Sequence, residues 1–198
     1  MAIPTFDLAG RHVEAVVIGA SAGGLEALLA ILKGLPPGYR LPLVTVLHLP
    51  SHGDSRLAEV LGARMNLPVR EAADKERIVP GTLYVAPGGY HLLVERDLSL
   101  SLSCDPPVHY SRPSIDVMME SAADAWGERL AAIVLTGANE DGADGLARIG
   151  KHGGLTIVQD PNEAAVSTMP QAAIARRAPD HVLGLAGIHA LLLELDKH

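Results

Sequence analysis

The chain has little cysteine, few aromatic residues and no cluster of lysine and arginine. Cys104 is the one cysteine among 198 residues, which excludes an internal disulfide framework and fits a reducing compartment. Aromatic residues make up 3% of the chain and hydrophobic residues 48%. The core must therefore consist of Ala, Val, Leu and Ile, as in parallel strands covered by helices. A net charge of −7 without a basic cluster argues against binding to nucleic acid or to an anionic membrane.

Long apolar runs are absent as well. No stretch reaches the roughly 18 apolar residues of a membrane span, and residues 1–11 lack the basic and apolar blocks of a secretory signal. We therefore expect a cytoplasmic protein without membrane insertion. Because no internal repeat or low-complexity linker is visible, we predict an N-terminal tail at residues 1–12 and a single domain at residues 13–198.

Apolar strands alternate with helical patterns along most of the chain. Continuous apolar runs predict strands at residues 13–19, 43–47, 82–86, 131–136 and 155–159, and short strands at 67–71 and 181–184. Helical patterns occupy residues 25–33, 56–65, 115–126, 146–152, 170–177 and 188–196, with Ser114 as an N-cap and Pro170 as a first helical residue. This order predicts an α/β fold, a doubly wound and mostly parallel sheet flanked by helices. Residues 91–103 alternate with period two, which predicts an antiparallel hairpin outside that sheet.

Polar side chains follow three of the predicted strands. Ser21 follows the first strand, His48 closes the second, and Asp141 lies in the loop after the strand that ends at Thr136. Because open parallel sheets place their sites at the carboxyl ends of strands, we expect these side chains to converge. A hydroxyl, an imidazole and a carboxylate are the groups that a nucleophilic serine requires. The helix after Ser21 would add backbone N–H groups for a developing oxyanion.

Other residues compete for two of these roles. His52 and His109 are rival bases, and Glu140 and Asp144 lie in the same loop as Asp141. The three acids would also fit a solvated turn that starts a helix. The chain order Ser–His–Asp differs from the Ser–Asp–His order of α/β-hydrolases, so that fold is not indicated.

The glycine-rich turn at residues 19–24 also comes close to a dinucleotide-binding loop. Ser21 stands where the second glycine of that motif belongs, and His48 stands where an acidic residue would bind the ribose. The chain contains no Walker-type Gly-Lys-Ser/Thr motif. Pro50 separates His48 from His52, so they are not a helical metal-binding pair. We therefore expect neither a cofactor nor a metal.

Several separated segments together carry a specific pattern. They are IGASAGG at 18–24, LHLP at 47–50, LYVAPG at 83–88, RPSIDV at 112–117, LTG at 135–137 with DGA at 141–143, and QD at 159–160 with MP at 169–170. In this order they resemble the catalytic domain of the CheB-type protein-glutamate methylesterases of bacterial chemotaxis. The resemblance spans nearly the whole chain.

This resemblance implies a serine hydrolase that removes methyl groups from glutamyl methyl esters on the cytoplasmic helices of chemoreceptors. Some members also deamidate receptor glutamines. The family triad maps onto Ser21 as nucleophile, His48 as base and Asp141 as the acid that orients it. The oxyanion and substrate region would include residues Ala22, Gly137, Ala138 and Arg112. Since about a dozen residues precede the first strand, we expect a stand-alone member whose regulatory partner would be a separate receiver or methyltransferase protein.

The loop before Asp141 departs from the family pattern. The family usually has Met-Gly-x between Gly137 and Asp141, whereas this chain has Ala138-Asn139-Glu140. The residue after the nucleophile is Ala22, where the family commonly has Thr. One alternative is therefore a catalytically weak relative that acts as a binding or regulatory module. Another is an esterase or amidase with a different substrate.

Overall fold

The described part of the chain, residues 6, 8, 10–48 and 56–197 of a computed structural model, alternates strands with helices. The strands are β1 (Ala15–Ala20), β2 (Leu43–Leu47), β3 (Val69–Glu71), β4 (Leu83–Val85), β5 (His91–Val94), β6 (Leu100–Ser103), β7 (Leu130–Val134), β8 (Leu155–Gln159) and β9 (His181–Leu183). The helices are α1 (Gly24–Leu32), α2 (Leu57–Gly62), α3 (Ile115–Trp126), α4 (Ala143–Lys151), α5 (Thr168–Arg176) and α6 (Leu185–Leu195), with a 3₁₀ turn at Gly127–Arg129.

Seven parallel strands form one sheet in the order β3-β4-β2-β1-β7-β8-β9. From β1 the chain first builds one side of the sheet, through β2 to β4, and later returns to the other side of β1 with β7. The order therefore reverses between β1 and β7. In open α/β sheets this reversal opens a crevice at the carboxyl ends of the strands, where ligands bind. The predicted doubly wound sheet is confirmed.

Two apolar layers cover the faces of the sheet. Val16, Ile18 and Ala20 of β1 pack with α1, α2 and α6, whereas Ala15 and Val17 pack with α3 and α4. All six β1 residues are buried, which explains the continuous apolar run in the sequence. Each fully buried Val or Ile side chain contributes about 1.5–3 kcal/mol to folding.

The predicted hairpin is confirmed as a separate antiparallel pair, β5 with β6. Its residues Leu92, Val94 and Leu100 pack in the same apolar layer as α3. The amide of Val94 donates to the hydroxyl of Ser121 on α3 over 3.1 Å. The hairpin therefore supports α3, the helix whose first turn reaches the crevice.

Three helices begin two or three residues before their predicted starts, α4 at Ala143, α5 at Thr168 and α6 at Leu185. Helix α5 begins at Thr168, so Pro170 is its third residue and not its first. The amide of Met169, in the first turn, donates to the Gly137 carbonyl oxygen over 3.0 Å. This contact with the loop after β7 anchors a helical turn before the proline. Within the described residues, none of the helices has the length and apolar character needed to cross a bilayer.

Candidate active site

The turn after β1 presents Ser21 at the carboxyl edge of the sheet. Its amide continues the strand pattern by donating to the Thr136 carbonyl oxygen over 3.0 Å. The chain then turns through Gly23, whose φ of 75° lies in the left-handed region that favours glycine. Within the part of the chain that the structure describes, no hydrogen bond engages the Ser21 hydroxyl. This side chain is partly exposed at the mouth of the crevice.

His48 lies at the neighbouring strand end. Its amide donates to the Ala20 carbonyl oxygen over 3.0 Å, which extends the β1–β2 ladder past Leu47 and places His48 level with Ser21. Its Nε2 lies 2.9 Å from Oδ2 of Asp141, and its side chain is 11% exposed. Because Nε2 is engaged, Nδ1 is the nitrogen left to accept a proton from a nucleophile.

The carboxylate of Asp141 is fully buried and receives four hydrogen bonds. Oδ2 accepts from His48 and from the Ile115 amide over 2.9 and 2.7 Å. Oδ1 accepts from the Ser114 hydroxyl and the Asp116 amide, each over 2.9 Å. Burial raises the pKa of Asp141, but the hydrogen bonds from His48, Asp116 and Ile115 outweigh it and hold the pKa below its ordinary value.

This arrangement suits a proton transfer between neutral groups that ends in an ion pair. A proton moved from the Ser21 hydroxyl to Nδ1 of His48 would create an imidazolium whose Nε2–H faces an ionised Asp141. The structure brings His48 and Asp141 into hydrogen-bond contact. It places Ser21 beside His48 without such a bond, a separation that is common before substrate binds.

Four residues were predicted for the oxyanion and substrate region. They differ in whether their hydrogen-bond donors are already engaged within the protein. The amides of Ala22 and Ala138 donate no hydrogen bond within the described residues, so both are free to face an oxyanion. The Gly137 amide is occupied, because it donates to the Val166 carbonyl oxygen over 3.1 Å. The Arg112 Nη1 donates to the carbonyl oxygens of Cys104 and Asp105, which ties this side chain to its own loop.

The rival residues lie elsewhere. His52 falls outside the described residues. The His109 Nε2 lies 3.4 Å from Asp116 Oδ2 and its Nδ1 lies 3.6 Å from Glu140 Oε1, so His109 faces carboxylates and not Ser21. Glu140 is 70% exposed, and Asp144 forms an ion pair with Arg176. Of the three loop acids, Asp141 alone bonds to His48 within the described residues.

Sequence reasoning missed the contributions of Ser114 and Asp116 to this site. Ser114 was expected to be an N-cap, and its hydroxyl does accept from the Val117 amide over 3.4 Å. The same hydroxyl also donates to Asp141. Asp116, in the first turn of α3, is buried and accepts the amides of Gly142 and Gly145 at the start of α4. The RPSIDV motif was the available signal, but its partners are too distant in sequence to be read from it.

The described residues contain no group of three or more His, Cys, Asp or Glu side chains arranged to hold a metal ion. The expectation that no cofactor binds rests on the sequence motifs and stays a prediction. The chemistry discussed above needs only the side chains and amides of the crevice.

Gly137 leaves no room for a side chain. A Cβ there would lie 2.1 Å from Met169 Sδ and 2.9 Å from Ser21 Cβ. We expect Gly137→Ala to slow labelling of Ser21 by a fluorophosphonate about 10²-fold, because a small displacement of a nucleophile has effects of that size. Gly88→Ala is the control, since a Cβ at Gly88 meets nothing within 4 Å. Equal labelling rates for the two variants would contradict this account of Gly137.

Comparisons with known proteins agree over nearly the whole chain. The family model for CheB methylesterase matches residues 16–192. A protein of Leptospira interrogans, provisionally named protein-glutamate methylesterase/protein-glutamine glutaminase, is 44% identical over 187 residues, covering 94% of this chain and 97% of that protein. An Anaeromyxobacter dehalogenans protein with the same activity in its name is 40% identical over 186 residues, which is 94% of this chain and 54% of the relative. The crystal structure of the Thermotoga maritima CheB methylesterase catalytic domain superposes with a TM-score of 0.88 at 33% identity, covering 92% of this chain and 98% of that one.

Proposed function

This chain belongs to the CheB methylesterase family, and from that premise we propose that it removes methyl groups from glutamyl methyl esters of chemoreceptors by forming an acyl-enzyme on Ser21. The observation that carries the proposal is the buried His48–Asp141 pair level with Ser21. The chain spans nearly the full length of its Leptospira relative but about half of the Anaeromyxobacter one.

In the first half of the proposed reaction, Ser21 Oγ attacks the γ-carbonyl carbon of the ester while its proton passes to His48 Nδ1. The amides of Ala22 and Ala138 stabilise the negative oxygen of the tetrahedral intermediate. The C–OCH₃ bond then breaks, and the leaving methoxide takes the proton from the imidazolium as methanol. Asp141 stabilises the imidazolium between these two transfers.

In the second half, water attacks the glutamyl-enzyme and gives its proton to His48. The bond between the acyl carbon and Ser21 Oγ breaks, Ser21 regains a proton, and a free glutamate carboxyl remains on the receptor. A receptor glutamine would follow the same path with ammonia as the leaving group. That reaction is the glutaminase activity in the names of the relatives.

The test uses a receptor cytoplasmic fragment that carries labelled methyl groups on its glutamyl esters. We expect the wild-type protein to release labelled methanol and to be labelled by a fluorophosphonate at Ser21. Hydrolysis of p-nitrophenyl acetate without methanol release from receptor would overturn the receptor substrate and favour an esterase of other specificity. A folded protein with neither activity nor labelling would overturn the enzymatic proposal. The Ala138-Asn139-Glu140 loop would then mark a binding module.

A further inference from the structure

Two buried carboxylates connect the starts of α3 and α4, because each accepts hydrogen bonds from amides at the start of the other helix. Asp141, just before α4, accepts the amides of Ile115 and Asp116 at the start of α3. Asp116, in the first turn of α3, accepts the amides of Gly142 and Gly145 at the start of α4 through Oδ1, over 2.9 and 2.7 Å. Each acid thus satisfies amides at the other helix's N-terminus that have no partner inside that helix.

This exchange fixes the residue that orients His48. Gly142 directly follows Asp141, so its bond to Asp116 restrains the main chain on which the Asp141 carboxylate sits. The two helices pack closely at Gly145, where a Cβ would lie 2.6 Å from Met119 Cβ. Without the Asp116 acceptor, two buried amides would lose their partner, at a cost of about 1–3 kcal/mol each.

Asp116 forms no hydrogen bond or ion pair with His48 or Ser21 within the described residues, whereas its amide bonds directly to Asp141. We therefore expect its effect on them to pass through Asp141. We propose that Asp116 is a positioning residue of the esterase that holds the Asp141 loop and thereby the His48 imidazole. This inference rests on the proposed function. Neither the composition nor the family motifs assigned Asp116 this role.

The charged groups around Asp116 are His109, Asp141 and Asp144, with Glu140 on the far side of His109. Burial, helped by the charges of Asp141 and Asp144, raises the pKa of Asp116 to about 7, against the opposing effects of the Gly145 amide and His109. Because this pKa is raised, the contribution of Asp116 to the free energy of unfolding falls as pH rises from about 4 to about 7. Oδ1 can accept both amides in either protonation state.

The test compares Asp116→Ala, Asp116→Asn and the control Asp124→Asn. Asp124 is an exposed acid on the same helix, paired with Arg148. We expect Asp116→Ala to lower kcat about 10- to 100-fold, the usual effect of removing a group that orients a catalytic residue, with KM within about 2-fold of wild type. Asp116→Asn keeps an acceptor oxygen for both amides and should restore kcat to within about 5-fold of wild type. Asp124→Asn should match wild type.

A second measurement separates positioning from a general loss of fold. The amide proton resonances of Gly142 and Gly145 should titrate with pH in the wild type and stay flat through neutral pH in Asp116→Asn. Wild-type kcat in Asp116→Ala, or no recovery in Asp116→Asn, would overturn the proposal. If Asp116→Ala does not fold, the Asn variant and the two resonances decide. A wild type without esterase activity would refute the proposed function. The pH titration of the Gly142 and Gly145 amides would still test whether Asp116 accepts their hydrogen bonds.

Discussion

Replacing Ser21 by alanine should lower methanol release by 10⁴-fold or more, on the order seen when a serine hydrolase loses its nucleophile. Without Oγ no acyl-enzyme forms, and His48 has no hydroxyl proton to accept. The free energy of unfolding should stay unchanged, because the hydroxyl makes no hydrogen bond in the described structure and the amide of Ser21 keeps its bond to Thr136. Loss of turnover with an unchanged urea midpoint would thus identify a chemical role.

Ser103→Ala is the matched control for this experiment. Its hydroxyl accepts the Asp105 amide over 3.0 Å in the hairpin region, so this variant tests serine removal away from the crevice. It should keep wild-type turnover and fluorophosphonate labelling. Turnover of Ser21→Ala near the wild-type rate would refute the acyl-enzyme mechanism, whatever the control shows.

The parallel sheet could be predicted from the sequence because its signal is local. Each central strand is buried on both faces, so its residues form a continuous apolar run, as in β1 and β7. The hairpin has a different local pattern, since Leu98, Leu100 and Leu102 pack against the core layer of α3 and alternate with serines along the chain. The rule that sites lie at the carboxyl ends of strands then brought Ser21 and His48 to neighbouring positions.

The same reasoning could not decide which of three neighbouring acids would bond to His48. Glu140, Asp141 and Asp144 share one loop, and only the packing of α3 against it decides which carboxylate is buried. The use of the Gly137 amide by Val166 likewise depends on a segment that folds back from beyond β8. Such contacts join residues about 25 or 30 positions apart, whereas periodicity and capping rules describe neighbours within one element.

Asp141→Asn should lower kcat about 10³- to 10⁴-fold while Ser21 stays in place. The amide has one acceptor oxygen and a donor NH₂ group, which cannot satisfy four donors that now converge on a carboxylate. An NH₂ group facing His48 Nε2 would favour the wrong imidazole tautomer, with the proton on Nδ1. Asp124→Asn again serves as the control for the removal of one negative charge. Wild-type kcat in Asp141→Asn would exclude Asp141 as the orienting acid.

The same substitution should destabilise the fold by roughly 3 kcal/mol at neutral pH, the scale for breaking a buried charge–hydrogen-bond network. The pKa of Asp141 in the folded protein lies below its ordinary value of 3.8. Its charge therefore stabilises the fold above about pH 4, and this contribution is lost as pH falls through the folded-state pKa. Urea unfolding should show the largest difference between wild type and Asp141→Asn near pH 7, and a smaller one as pH is lowered below 4. A difference that grows on acidification would contradict a carboxylate held ionised by the α3 amides and His48.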